Sequence, residues 1–146
     1  VASMCKLGFD LGLKELSADE LTYCQTAVTN WKRLQAAIMD GVQYRLVSPY
    51  QSNHMAVNYV SRDTDKAVLF AYDIYPRFQE KLMPVRLQGL NPDKRYKVEE
   101  INLMPSVKSA LKANGKIYSG DYLMKVGLDV FGTAITQSHV IELTAQ

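Results

Sequence analysis

Histidine and cysteine are scarce in this 146-residue sequence, with two of each, and the shortage removes much of the usual site chemistry. Cys5 and Cys24 form no CxxC pair, and His54 and His139 lie far apart in the chain. A structural zinc site needs four N/S ligands at close spacing, and a histidine acid/base site needs a positioned partner. Neither is assembled by spacing here, and no cofactor is implied. Two cysteines do not set the redox compartment. No apolar run approaches the ~20 residues of a membrane span. Glycine-rich phosphate loops of the GxGxxG or GKS/GKT type do not occur. Seventeen basic against fifteen acidic residues leave +2, with lysines scattered instead of gathered on one face, so nucleic acid is not an expected partner.

What the sequence does have is a globular composition, 47% apolar and 22% charged. A chain of this length buries roughly 70% of its unfolded surface, enough for one ordinary domain without metal or disulfide. Its clearest local signal is Leu16-Ser17-Ala18-Asp19-Glu20-Leu21. Ser17 with Glu20 three residues on predicts a capping box, and Leu16 with Leu21 a hydrophobic staple. Asp19 and Glu20 suit the positive end of a helix dipole. Leu21, Cys24, Ala27, Val28, Trp31, Leu34 and Ile38 then recur at steps of three and four, an arc of about 140° opposite Thr22, Gln25, Thr29, Lys32 and Arg33. Asp40-Gly41 supplies a stop. These signs predict a helix from Ala18 to Met39, about 33 Å long, with Trp31 in its core stripe.

After Gly41 the period changes. Met55–Val60 and Ala67–Tyr75 are rich in β-branched and aromatic residues, joined by the turn residues Arg62 to Asp65. Pro84–Leu90 alternates and is followed by Asn91-Pro92-Asp93-Lys94, with Pro92 placed for a type I turn. Tyr96–Ile101, Gly120–Val126 and Ser138–Thr144 are further strand candidates. The expected fold is mainly β: an antiparallel two-sheet sandwich of Greek-key type, preceded by one long helix and a short strand at Leu7–Leu13. A strand followed at once by a long amphipathic helix is a single βα unit, which needs a larger parallel sheet or barrel to bury it.

Candidate constellations have plain alternatives. Glu99 and Glu100 are adjacent carboxylates, but on a strand they point to opposite faces, one solvated and one at the rim. Asp63 and Asp65 offer too few oxygens for calcium, which takes six to eight, and read as turn residues. Lys108, Lys112 and Lys116 recur at four-residue steps and read as a solvated loop. Tyr59, Tyr72, Tyr75 and Tyr96 fall in strand runs, where aromatics pack, in place of an exposed sugar platform. No catalytic, substrate-binding or metal-ligating residue is assigned.

Several stretches together resemble the C-terminal portion of α-galactosidases of glycoside hydrolase family 36. They are Gly8-Phe9-Asp10-Leu11 with Leu16–Leu21, Gly41–Tyr50 (a G-x-x-Y-R-L-x-S-P run), Lys66–Tyr72, Val85–Pro92 (V-R-L-x-G-L-x-P) and Ser119–Met124. The likeness runs from about Gly8 to Leu143. It implies that residues 1–41 are the last strand and helix of a TIM barrel cut short, and that residues 42–146 are a C-terminal β-sandwich. It also implies a retaining glycosidase whose two catalytic aspartates sit on earlier barrel strands; no residue here matches either. Where the family often carries an acidic residue, this chain has Gly12, which puts a polar role for the last barrel strand in doubt. The partners implied are the remainder of the parent enzyme, α-galactosides through that parent, and a second copy in a homo-oligomer. A free-standing carbohydrate-binding sandwich is the competing expectation.

Overall fold

The computed structural model describes residues 2–10, 12–77, 79–132 and 138–146. Helix α1 (Ala18–Met39) has both halves of the capping box: the Ser17 hydroxyl accepts from the Glu20 N–H at 3.3 Å, and the Glu20 carboxylate accepts from the Ser17 N–H at 2.9 Å. It stops where Gly41 follows Asp40. A Cβ on Gly41 would come within 2.2 Å of the Ala37 carbonyl and 2.5 Å of that of Val60, so glycine permits the close passage into the sheet.

The strands β1 (Val42–Val47), β2 (His54–Val60), β3 (Lys66–Asp73), β4 (Arg95–Ile101), β5 (Ile117–Ser119) and β6 (Ser138–Ala145) form one antiparallel sheet in the order β1-β2-β3-β6-β4-β5. A six-residue helix, α2 (Gly120–Lys125), follows β5. In β3 every residue from Ala67 to Ala71 is buried, because both faces of the central sheet are covered. On one face, Leu34, Ile38 and the partly buried Trp31 of α1 pack on Val57, Tyr59, Val68 and Phe70. On the other, Ala56, Leu69, Tyr96, Val98, Ile141 and Leu143 meet Val85, Leu87, Leu111, Leu123 and Leu128.

Mainly antiparallel β structure with one long helix is therefore present, but the expected second sheet is not formed by the described residues. Its place is taken by irregular chain. Val85 and Leu87 are buried in alternation, as the sequence pattern requires, and Leu90 is buried out of phase with them; the segment makes only one bridge, Val85 to Leu128. Gly120–Val126 is likewise helical over most of its length instead of a strand. Ser119 caps it by accepting from the Tyr122 N–H at 3.1 Å, and Asp121 pairs with Lys125 across one turn at 2.6 Å. A side chain at position 120 would strike the Asn91 carbonyl at 2.0 Å, so Gly120 lets the helix begin against that turn. Among the described residues of Leu7–Leu13 no strand forms: Leu7–Asp10 and Gly12 have no ladder partner, and a 3-10 turn begins at Leu13. Leu11 lies outside the described residues. A strand exists only where a neighbour accepts its hydrogen bonds, and the described residues supply none there.

Candidate functional site

Histidine and carboxylate residues that are remote in sequence are brought together by strand register. His54 opens β2 and pairs across the ladder with Asp73, which closes β3; the imidazole Nδ1 lies 2.6 Å from the Asp73 carboxylate. Its Nε2 is 3.3 Å from Glu80, an ion-pair distance at an angle that makes no hydrogen bond. Phe131 stacks on the ring at 4.5 Å. The second pair is His139 of β6 with Glu100 of β4, also at 2.6 Å, and Ser109 donates its hydroxyl to the other Glu100 oxygen. By the two-residue period of strands, His54, Asp73, His139 and Glu100 all lie on the face of Ala56, Ala71, Ile141 and Val98, opposite α1.

This arrangement looks like acid/base machinery and lacks its access. Both histidines and Asp73 are buried, and the Glu100 side chain is only 2% exposed. Ser109 bonds to the carboxylate and not to the imidazole, so no histidine is placed by it to draw a proton from the hydroxyl. Burial pushes Glu100 up, but the hydrogen bonds from His139 and Ser109, with the charge of His139, prevail and hold its carboxyl below the usual value. Glu80 is also held low, chiefly by the Asn53 amide against a smaller push from burial, with help from the Arg77 N–H and His54. The pairs brace the end of the sheet.

The remaining sequence candidates disperse. Glu99 and Glu100 do point to opposite faces, but Glu100 is buried, whereas a rim position was expected; Glu99 pairs with Lys97 at 2.7 Å. Asp63 acts in the hairpin turn, accepting from the Asp65 N–H at 3.0 Å, and Lys94 pairs with Asp65 at 2.6 Å. Lys112 and Lys116 share a small cleft of about 90 Å³ with Asp129 and the stacked rings of Tyr118 and Tyr122, without Lys108. Tyr96 is fully buried, donating to the Thr64 carbonyl at 2.8 Å. Tyr59 is buried too, and burial raises the Tyr72 hydroxyl to about 12. Tyr75, expected to pack, lies beyond the end of β3 and is exposed. A larger cleft, about 510 Å³, runs along β1 and the corner after it, lined by Arg45, Val47, Tyr50, Met55 and Val57. The sequence signal for the histidine pairs was the inward parity of both histidines in apolar strands; their partners were set by register alone.

The sheet is covered by α1 on one face and by irregular chain on the other, and among the described residues its histidines and their partners Asp73 and Glu100 are closed off inside it. Residues 54–143 match the glycosyl hydrolase family 36 C-terminal domain, and the chain belongs to that family. Among curated relatives, alpha-galactosidase 1 of Pediococcus pentosaceus is 33% identical over 87% of this chain, and probable alpha-galactosidase G of Aspergillus terreus is 28% identical over 95%. The chain spans only 16% and 17% of those two proteins. The solved structure of the family 36 α-galactosidase AgaA from Geobacillus stearothermophilus shares the fold over 99% of the chain and 18% of its own, with a TM-score of 0.80 at 23% identity.

Proposed function

We propose that this chain is the C-terminal accessory part of a retaining α-galactosidase, with the catalytic aspartates carried elsewhere in the parent. The observation that supports this most is the pairing of near-complete coverage of this chain with coverage of one-sixth or so of α-galactosidases. Residues 1–41 are the end of the catalytic barrel, its last helix and a preceding segment that becomes the last strand only when the barrel supplies its neighbours, and residues 42–146 are the domain that follows. The unpaired extended residues before α1 fit that division, since a barrel would supply the neighbouring strands. The role of the segment is structural: α1 presents one face to the sheet, and the whole shields a flank of the barrel and contributes to contacts between copies.

Retaining hydrolysis needs two carboxyls about 5–5.5 Å apart across the scissile bond, and the carboxylates described above are paired, buried or solvated singly. The chain by itself therefore turns over no α-galactoside, whereas the full-length polypeptide does. A chromogenic α-galactoside assayed against both decides it. Turnover by the 146-residue chain, or none by the full-length protein, would reject the reading.

A further inference from the structure

One end of the sheet carries an unusual group of side chains. Tyr50 is 97% exposed, Tyr75 70%, Met83 62% and Ile74 53%. Exposed apolar residues scattered singly are ordinary, but several gathered at one end of a sheet mark a surface that is covered in use. The N–H groups of Ile74 and Tyr75 both donate to the Asn53 carbonyl, at 2.9 and 3.1 Å, which lays the corner after β1 beside the segment after β3 and gathers these residues at one end of the sheet. Leu82, next to Met83, reaches Gly132, where an added Cβ would lie 2.3 Å from its Cδ1.

The same region is anchored from beneath by polar groups. Asp73 and Glu80 flank His54, Asn53 Nδ2 donates to Glu80 at 3.1 Å, and the Gly132 N–H reaches Asp73 at 3.4 Å. The described parts of this loop, 74–77 and 79–83, are thus held by a largely buried polar cluster, while Ile74, Tyr75 and Met83 are left outside. Loops shaped by a rigid scaffold and left with apolar side chains outward are built for recognition.

The location names the occupant. At its C-terminal end α1 meets the opposite end of the sheet, where Arg62 donates to the Asp40 carbonyl. Midway along, Asn30 bonds to Asn102, one residue past the end of β4 and at the same end as His54 and Asp73. Residues 18–29 continue past that point as about 18 Å of helix, with Leu21 exposed. Chain preceding α1 is therefore delivered to this end. This chain matches only 16% and 18% of two such relatives, and the family domain it matches is the C-terminal one.

We propose that the surface formed by Tyr50, Ile74, Tyr75 and Met83 is where the upstream body of the same polypeptide docks through an apolar face. The inference rests on the reading of the chain as the C-terminal part of a larger enzyme. The test uses the full-length protein with p-benzoylphenylalanine, an aromatic photo-crosslinker, in place of Tyr75, and a control with it at Ile117, exposed on the opposite edge strand. Irradiation should give cross-linked peptides that join position 75 to upstream segments at monomer mass, with none from position 117. Cross-links of dimer mass at position 75 would assign the surface to a second copy and overturn the proposal, as would no cross-link at all. Turnover of a chromogenic α-galactoside by the same protein is scored separately. Turnover without a cross-link removes the docking surface alone; cross-links without turnover remove the parent activity and leave the surface.

Discussion

At the scale of single residues, the buried carboxylates are the most informative. Glu142 is 4% exposed on the helix side of β6, and its partner is Arg33, which the helical wheel places on the polar face. The long guanidinium stem reaches round the helix to neutralise it. Breaking a fully buried pair costs about 3–5 kcal/mol; with the Arg33 side chain 41% exposed, Arg33→Met should cost about 2 kcal/mol, with much of it restored by Glu142→Gln in the same background. Urea denaturation measures both, and a loss below about 0.5 kcal/mol would show the pair to be idle. Glu100 predicts a pH dependence. Its folded-state pKa is depressed, so its contribution is present above the unfolded value of 4.5 and is lost as pH falls through the lower folded value. Glu100→Gln should flatten part of the acid limb in a series of denaturation midpoints from about pH 6 to about pH 3. An unchanged limb would mean that the His139 and Ser109 contacts do not stabilise the carboxylate.

Among the elements, α1 shows how much local sequence settles. Its cap, dipole residues and stop act within a few residues of one another, and the observed bounds coincide with the pattern. Ser17→Ala removes the acceptor for the Glu20 N–H and should cost about 1 kcal/mol. Because the first half of the helix overhangs the sheet, the loss should appear as amide exchange about five-fold faster over residues 18–24, with little change beyond Leu34. Uniform acceleration along α1 would show the helix to open as one unit. Leu34, 2% exposed between helix and sheet, is the opposite case: Leu34→Ala should lower global stability by about 2–5 kcal/mol, read as a shift in Tm. The elements the sequence misassigned share a cause. Pro84–Leu90 carries apolar alternation at Val85 and Leu87 and Gly120–Val126 an apolar run, but whether such a stretch joins a ladder or forms a helix depends on neighbours. Ser119 and Asp121 were a readable cap signal, weakened by the short run behind them.

For the molecule as a whole, the tyrosines speak against lectin-like binding. Tyr59 and Tyr96 are buried, Tyr118 stacks on Tyr122, and Tyr50 and Tyr75 cap one end of the sheet without a row for a sugar ring. Galactose, melibiose and raffinose should each bind with Kd weaker than about 1 mM by calorimetry, no more than about −4 kcal/mol; micromolar binding would restore the carbohydrate-binding alternative. The sequence alone determined α1, its cap, the β2–β3 hairpin and the inward faces of the central strands, because each follows from interactions or periodicities a few residues in range. Its family likeness was legible in the same way, as runs such as Gly41–Tyr50 and Val85–Pro92. Only tertiary structure decided that the described residues form one sheet in place of two, that β6 inserts between β3 and β4, and that His54 meets Asp73 and His139 meets Glu100. Those outcomes join residues nineteen and thirty-nine positions apart. A strand's pattern says which face is buried, but its partner is chosen by the closure of the whole chain, and no local signal carries that choice.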